Sequence, residues 1–226
     1  MVYSIDVTGS MSTSDPTNQR FFAPIFFNGI LNNSSANNFA VFNTWNTTVQ
    51  KFSSLTNPTN FTLLNNTINA SISANDNTNL NVGLNQSILT LDNDPRVGQS
   101  SKIIIFLTDG LQTSGTYDPN IAVTAGQKGY AIYSIGLGSG VDTSLLQAMA
   151  TSSSGKYYSS PTVANLTSVY NDIYQSIITD TIPYKVNVTE VIPSYLGVNK
   201  SSVKITPNNI LPNSISTDGN GNTSFI

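Results

Sequence analysis

The sequence predicts an α/β fold: a doubly wound, Rossmann-like and mostly parallel sheet with helices on both faces, followed by a short all-β segment. Three observations predict it. Apolar runs of strand length alternate with amphipathic stretches of helix length up to about residue 178. The run from Ile103 to Leu107 is unbroken and apolar, as in a strand buried on both faces. Beyond residue 178 no helical pattern remains.

The elements follow from local signals along the chain. The first half gives, in order, a strand at 2–7, a helix from 16 to about 31, a hairpin of 38–43 and 47–52 around Trp45, and helices at about 60–71 and 80–89. Ser14-Asp15-Pro16 supplies a cap and a proline for the first helical turn. The spacing predicts that one face of this helix carries Phe21, Phe22, Ile25, Phe26, Gly29 and Ile30.

The second half continues the alternation and then changes. It gives a strand at 102–108, a helix at 118–127, a strand at 130–135, a helix from 142 to about 149, an edge strand at 156–158 and a helix at 163–178. Residues 179–226 have an alternating apolar pattern at 186–191, several prolines and a Gly219-Asn220-Gly221 turn. We therefore expect two parts, a domain at 1–178 and a β segment at 179–226.

Composition excludes several kinds of function. The 226 residues contain neither Cys nor His, which removes thiolate nucleophiles, Ser-His-Asp triads, disulfides and zinc sites with nitrogen or sulfur ligands. The nine basic residues are scattered and the net charge is −3, so we expect no nucleic-acid partner. No apolar run approaches ~18 residues, so we expect no direct membrane insertion. A bound metal must be held by oxygen atoms.

The polar surface is unusual. Charged residues make up only 9% of the chain, and Asn, Ser and Thr take their place. About eleven N-x-S/T sequons occur, among them those at Asn32, Asn85 and Asn165. This favours an extracellular glycoprotein, and an AT-rich genome is the alternative explanation of the bias. No signal peptide precedes Met1, so we expect a fragment of a longer chain.

Three separated segments carry polar side chains where strands end or helices begin. They are Asp6-Val7-Thr8-Gly9-Ser10, Asn77-Thr78-Asn79 and Thr108-Asp109-Gly110. In an open α/β sheet such segments gather at the edge where the strand order reverses. Two carboxylates about 5 Å apart repel by about 3 kcal/mol at an effective dielectric of 20, so a cation is expected between them. Carboxylate and hydroxyl oxygens suit Mg²⁺ or Mn²⁺ in preference to Ca²⁺.

At these residues the chain resembles a von Willebrand factor type A domain with its metal-ion-dependent adhesion site. That family has D-x-S-x-S, then a distant Thr, then an Asp after a buried strand. The corresponding residues here are Asp6, Thr8, Ser10, Thr78 and Asp109, with Thr8 in place of a Ser. The resemblance covers about residues 1–178.

The resemblance implies a role for each of these residues. Ser10 and Thr8 would bind the cation directly through their hydroxyls, and Thr78 directly or through water. Asp6 and Asp109 would act mainly through coordinated waters. One coordination position would remain for an Asp or Glu carboxylate of a protein partner. The resemblance implies a monomeric binding module with no catalytic residue.

The leading interpretation is therefore an adhesive module of a prokaryotic cell-surface or pilus-tip protein, with an archaeal source among the options. The tail resembles the start of the Ig-like β modules of such adhesins, so 179–226 would be a partial Ig-like stalk segment. The alternative is an intracellular domain of the same family that recruits substrate or a partner for an ATPase or chelatase-like complex. A metal-dependent hydrolase would require phosphoester turnover that disappears in Asp6→Asn.

Overall fold

A computed structural model of the chain describes residues 1–33, 38–53, 61–69, 74–94, 96, 101–181, 215–217 and 223–225. The chain divides into two compact units, Met1–Ile177 and Ile178–Ile226.

A six-stranded sheet organises the first unit. Its strands are β1 (Val2–Asp6), β2 (Val41–Trp45), β3 (Val49–Phe52), β4 (Lys102–Thr108), β5 (Tyr130–Leu137) and β6 (Tyr157–Ser160). They lie in the order β3-β2-β1-β4-β5-β6. All neighbouring pairs are parallel except β2 and β3, which form an antiparallel hairpin at one edge. The strand order reverses between β1 and β4, so a crevice is expected at their carboxyl ends.

In the described part of the chain, seven α-helices surround or follow the strands. They are α1 (Met11–Ser14), α2 (Gln19–Asn33), α3 (Phe61–Asn69), α4 (Leu80–Asp92), α5 (Asn120–Gln127), α6 (Thr143–Thr151) and α7 (Leu166–Thr181), and a 3₁₀ turn at Val163–Asn165 precedes α7. One buried cluster joins the sheet to α2, α3 and α7, and a second joins it to α4, α5 and α6. The predicted doubly wound α/β fold is confirmed. None of the helices among these residues is long and apolar enough to cross a membrane.

Successive side chains of the central strands point to opposite faces of the sheet and so belong to different buried clusters. In β4, Ile105 lies in the cluster under α2, α3 and α7, while Phe106 lies in the cluster under α4, α5 and α6. This alternation explains the unbroken apolar run of β4, because both of its faces are covered. The strand is buried along its whole length.

Helix α4 approaches the sheet unusually closely at Gly83. A Cβ atom there would lie 2.3 Å from Nε1 of Trp45. The Trp45 ring is fully buried and stacks on Phe106 with ring centroids 5.0 Å apart, and its Nε1 donates a hydrogen bond to Oγ of Ser4. Only a residue without a side chain fits between α4 and this ring.

Some predictions about local structure were wrong in detail. Helix α2 begins at Gln19, so Pro16 lies in a turn before it and not in its first helical turn. The apolar face predicted for α2 is rotated in the structure, where Phe21, Phe27 and Leu31 are buried while Phe22 and Phe26 are about half exposed. Strand β2 also continues through Trp45, which was predicted to lie in the turn. The buried indole packs best from a strand position, so the turn begins after it.

The second unit contains two described strands, β7 (Ile215–Thr217) and β8 (Thr223–Phe225), which pair antiparallel. The alternating segment predicted at 186–191 and the Gly219-Asn220-Gly221 turn lie outside the described residues.

Candidate metal centre

The carboxyl ends of β1 and β4 bring distant polar side chains into contact. Asp6 ends β1, Ser10 lies directly before α1, and Asp109 directly follows β4. Oγ of Ser10 donates a 2.7 Å hydrogen bond to Oδ1 of Asp109, across 99 positions of sequence. The hydroxyls of Thr8 and Ser10 are 3.1 Å apart. The first and third predicted segments therefore form one site.

Thr78 reaches the same site across Gly110. A Cβ atom on Gly110 would lie 3.2 Å from Oγ1 of Thr78 and 3.6 Å from Oγ of Ser10. The hydroxyls of Thr78 and Ser10 thus both lie beside the backbone of Gly110, which leaves them room because it has no side chain. The structure brings together all five residues singled out in the sequence, and their role as metal ligands stays a prediction.

Asp6 is fully buried and holds the loop after β1. Its Oδ1 accepts a 2.7 Å bond from the backbone N–H of Thr8, and its Oδ2 accepts a 2.6 Å bond from the hydroxyl of Thr108. Burial raises the pKa of the Asp6 carboxyl to about 7; the two threonine contacts oppose this rise and the nearby Asp109 charge adds to it. In the metal-free site near neutral pH, ionisation of the Asp6 carboxyl therefore lowers the stability of the folded protein.

Replacing Asp6 with Asn is expected to stabilise the metal-free protein at alkaline pH. Because the pKa is raised to about 7 from 3.8, the folded state holds this proton more tightly than the unfolded state does. The stability from this proton is complete below pH 3.8 and is lost as pH rises through about 7. Asn can accept the Thr8 bond at its Oδ1 and donate from its Nδ2 to the Thr108 hydroxyl, and it does not ionise. The variant should therefore exceed the wild type in stability by roughly 2–4 kcal/mol at about pH 8.5 in chelator.

This difference should vanish towards about pH 4, as measured by urea unfolding across the pH range. Asp172→Asn removes an exposed carboxylate on α7 and serves as the control. Parallel stability curves for the wild type and Asp6→Asn would contradict the predicted proton linkage.

The surroundings of the Asp109 carboxylate show whether a cation would fit this site. The residue is 4% exposed, and its Oδ2 atom is buried without a hydrogen-bond partner. A buried carboxylate oxygen without a partner is costly, and a cation or its coordinated water would satisfy it. The neighbouring hydroxyls of Ser10, Thr8 and Thr78 are neutral oxygen donors of the kind Mg²⁺ accepts. The residues fit a hard divalent cation.

Within the described residues no three Asp, Glu, His or Cys side chains group as a metal site. This agrees with a site of two carboxylates and three hydroxyls. Such a site supplies little negative charge, so a cation held there would stay electrophilic towards a further carboxylate.

The segment before α4 is hydrogen-bonded to residues that follow β2 and β4, and these residues are not part of the predicted motif. Asn46, directly after β2, donates from Nδ2 to Oδ1 of Asn75 and accepts at its carbonyl from the N–H of Asn79. The hydroxyl of Thr113, beyond β4, accepts from the N–H of Thr78 at 2.8 Å. These contacts fix the position of the Thr78 hydroxyl.

Gln112 adds a further tie by accepting from the N–H of Leu80 at 2.7 Å, which satisfies a free donor at the start of α4. In the sequence, Asn46, Thr113 and Gln112 are marked only by lying soon after a strand. Many surface residues have such a position, so it does not identify a functional residue.

Comparison with known proteins matches residues 1–172 to the von Willebrand factor type A domain. Comparison with curated proteins gave no match. An aerotolerance-related membrane protein from Bacteroides fragilis is similar in structure, with a TM-score of 0.62, 16% identity, 79% of this chain covered and 98% of that chain.

Two longer proteins are similar as well. Proximal thread matrix protein 1 from the mussel byssus, with a zinc-occupied MIDAS motif, gives a TM-score of 0.61 at 18% identity over 78% of this chain and 44% of that chain. The pilus adhesin SpaC from Lactobacillus rhamnosus GG, in its open conformation, gives 0.64 at 16% identity over 99% of this chain and 36% of that one. This chain thus spans less than half the length of either.

Proposed function

Because the chain belongs to the von Willebrand factor type A domain family, whose members are typically non-enzymatic interaction modules, we propose that it is a metal-ion-dependent adhesion module. It binds a protein partner at the carboxyl edge of its sheet, where β1 and β4 end. The single observation that carries the proposal is the buried, unpartnered Oδ2 of Asp109 beside the Ser10 and Thr78 hydroxyls.

The proposed cation is Mg²⁺, with Mn²⁺ as a substitute. Ser10 and Thr8 would hold it through their hydroxyls, Thr78 directly or through water, and Asp6 and Asp109 mainly through waters. When bound, it supplies a Lewis-acidic position for an Asp or Glu carboxylate of the partner. Asp6 keeps the Thr8 backbone in place through its Oδ1, and Thr108 orients the Asp6 carboxyl.

We place the module outside the cell, as part of a surface-attached prokaryotic protein with 179–226 as the start of an Ig-like stalk. The Asn-, Ser- and Thr-rich composition supports this location. The structural likeness to a pilus adhesin, which extends over 99% of this chain, and to a membrane protein supports it further. The module acts as a monomer.

Ser10→Ala tests the proposal because it removes one hydroxyl from the site. We expect the affinity for Mg²⁺ and Mn²⁺ in calorimetric titration to fall by at least roughly 10-fold, because loss of even an outer partner of a metal ligand costs about 10- to 100-fold. The matched control is Ser12→Ala: Ser12 lies in α1, exposed, and its hydroxyl donates to the carbonyl of Gly9.

The control variant should bind metal like the wild type. Equal affinity in Ser10→Ala and the wild type would contradict direct binding through this hydroxyl. Absence of metal binding by the wild-type chain would overturn the proposed function.

A further inference from the structure

In the first unit, three exposed carboxylates and most of the basic side chains lie at opposite ends of the parallel strands. Three exposed carboxylates, Asp76, Asp118 and Asp142, lie at the carboxyl edge with the buried Asp6 and Asp109. None of these five takes part in an ion pair within the described residues.

The backbone at or near each exposed carboxylate contacts the metal-centre loops or the first turn of α4. The carbonyl of Asp76 accepts from the N–H of Gly9, in the loop between Thr8 and Ser10, at 3.0 Å. The side chain of Asp76 accepts from Thr47, the second residue after β2, so this carboxylate lies on the β2 side of the centre.

The other two carboxylates are Asp118, which lies beside the first turn of α4, and Asp142, which lies close in sequence to a contact with the Asp109 backbone. The N–H of Asp118 donates to Oδ1 of Asn81, in the first turn of α4. A Cβ on Gly140, two residues before Asp142, would lie 3.2 Å from the carbonyl of Asp109. Exposed carboxylates from three separate loops therefore lie at the same end of the parallel strands as the metal centre.

Most described basic side chains lie at the opposite edge, where the parallel strands begin. Lys102 begins β4, Lys128 lies before β5 and Lys156 directly precedes β6. Lys128 pairs there with Asp92, and Arg96 pairs with Asp94. Among the described residues the two exceptions are Arg20 and Lys51. Arg20 is buried and paired with Asp15, and Lys51 lies on the edge strand β3, opposite Thr44 of β2.

We propose that the partner of this module presents its metal-binding carboxylate within a basic surface, with Lys or Arg side chains that face Asp76, Asp118 and Asp142. A partner that is acidic throughout would be repelled by these charges before its carboxylate reached the cation, because like-charge contacts disfavour docking. This inference rests on the proposed function and adds the charge of the partner surface to it. A second observation marks this edge as a binding surface: the Oδ2 atom of Asp109, a residue that is 4% exposed, is buried without a hydrogen-bond partner.

The test uses the full chain loaded with Mn²⁺ and three blocked pentapeptides. Each has a central Asp with Ala on both sides and ends in Lys, Ser or Glu at both termini. We expect the Lys peptide to bind roughly ten-fold more tightly than the Glu peptide at low ionic strength, with the preference shrinking to about two-fold at about 0.5 M salt, where charges are screened.

Variants identify which charges produce the preference. The triple variant Asp76→Asn, Asp118→Asn and Asp142→Asn should abolish it and leave Mn²⁺ binding intact. Asn can still accept the backbone N–H bonds that these carboxylates receive from Asn77, Asn120 and Leu145. It also suits the left-handed backbone of Asp76, whose φ is 67°. Asp172→Asn, on α7, should keep the preference.

The outcomes separate this inference from the proposed function. Equal affinity for the three peptides, or a preference that survives in the triple variant, overturns the inference and leaves the adhesion site standing. If Mn²⁺ binds and no peptide does, the proposed binding of a partner carboxylate to the cation and the inference both fail.

Discussion

Replacing Asp109 with Asn is expected to abolish the stabilisation of this protein by Mg²⁺. At a Mg²⁺ concentration about 100 times Kd, binding to the folded state adds about 2.7 kcal/mol, which raises the Tm of a protein of this size by about 5–10 °C. The variant should show no such rise, because the amide that replaces the carboxylate lacks the charge of the buried Oδ2 atom. Thermal unfolding with Mg²⁺ and with chelator measures the difference.

Asp118→Asn is the matched control for this experiment. It removes the same charge from the same edge of the sheet, at an exposed position whose hydrogen bond to Asn120 can be kept by the amide. It should retain the Mg²⁺-dependent rise. An equal rise in Asp109→Asn and the wild type would show that the cation binds elsewhere.

Replacing Gly83 with Ala is expected to destabilise the fold by about 3 kcal/mol, at the upper end of the cost of overpacking a core. The new methyl would overlap the Trp45 ring, which is fully buried, stacked on Phe106 and hydrogen-bonded to Ser4. The ring cannot retreat without breaking these contacts, so α4 must move away from the sheet. Urea unfolding measures the loss.

Gly29→Ala is the matched control because it makes the same change in another helix. Nothing lies within 4 Å of a Cβ at Gly29, so the helix preference of Ala should stabilise α2 by about 0.5–1 kcal/mol. Changes of the same sign in the two variants would contradict the steric explanation for Gly83.

Much of the fold could be predicted because the strands that build it are strongly apolar. The β4 run has no polar interruption, and its burial on both faces follows from that pattern alone. Parallel strands joined by helices then require layers on both sides of the sheet. The strand order and the assignment of each helix to a face depend on long-range packing, which the local pattern does not specify.

The amphipathic face of α2 illustrates this limit. Aromatic residues lie all around this helix, so spacing alone could not select the buried side. The choice is made by partners far along the chain: Phe27 packs edge-on against Tyr3 and Tyr170, and Asn28 accepts a hydrogen bond from the Tyr3 hydroxyl. Phe22 and Phe26 point away as a consequence.

The candidate site could be predicted because its residues lie where strands end or helices begin along one edge of the sheet. The structure places the Asp6, Ser10, Thr78 and Asp109 side chains there, as expected from their positions. Asn46 and Gln112 could not be found in the same way, because their importance lies in backbone and side-chain groups they bind across the fold. One sequence carries no sign of such pairings.

The hydrogen bond from Thr108 to Asp6 joins residues 102 positions apart, and it has a consequence for the order of folding. The centre cannot exist in a chain that has not yet paired β1 with β4, and such distant pairing is slow compared with helix formation. During synthesis, metal capture must wait until the residues up to Asp109 have emerged and β4 has docked. Metal binding would thus report that the central sheet is complete.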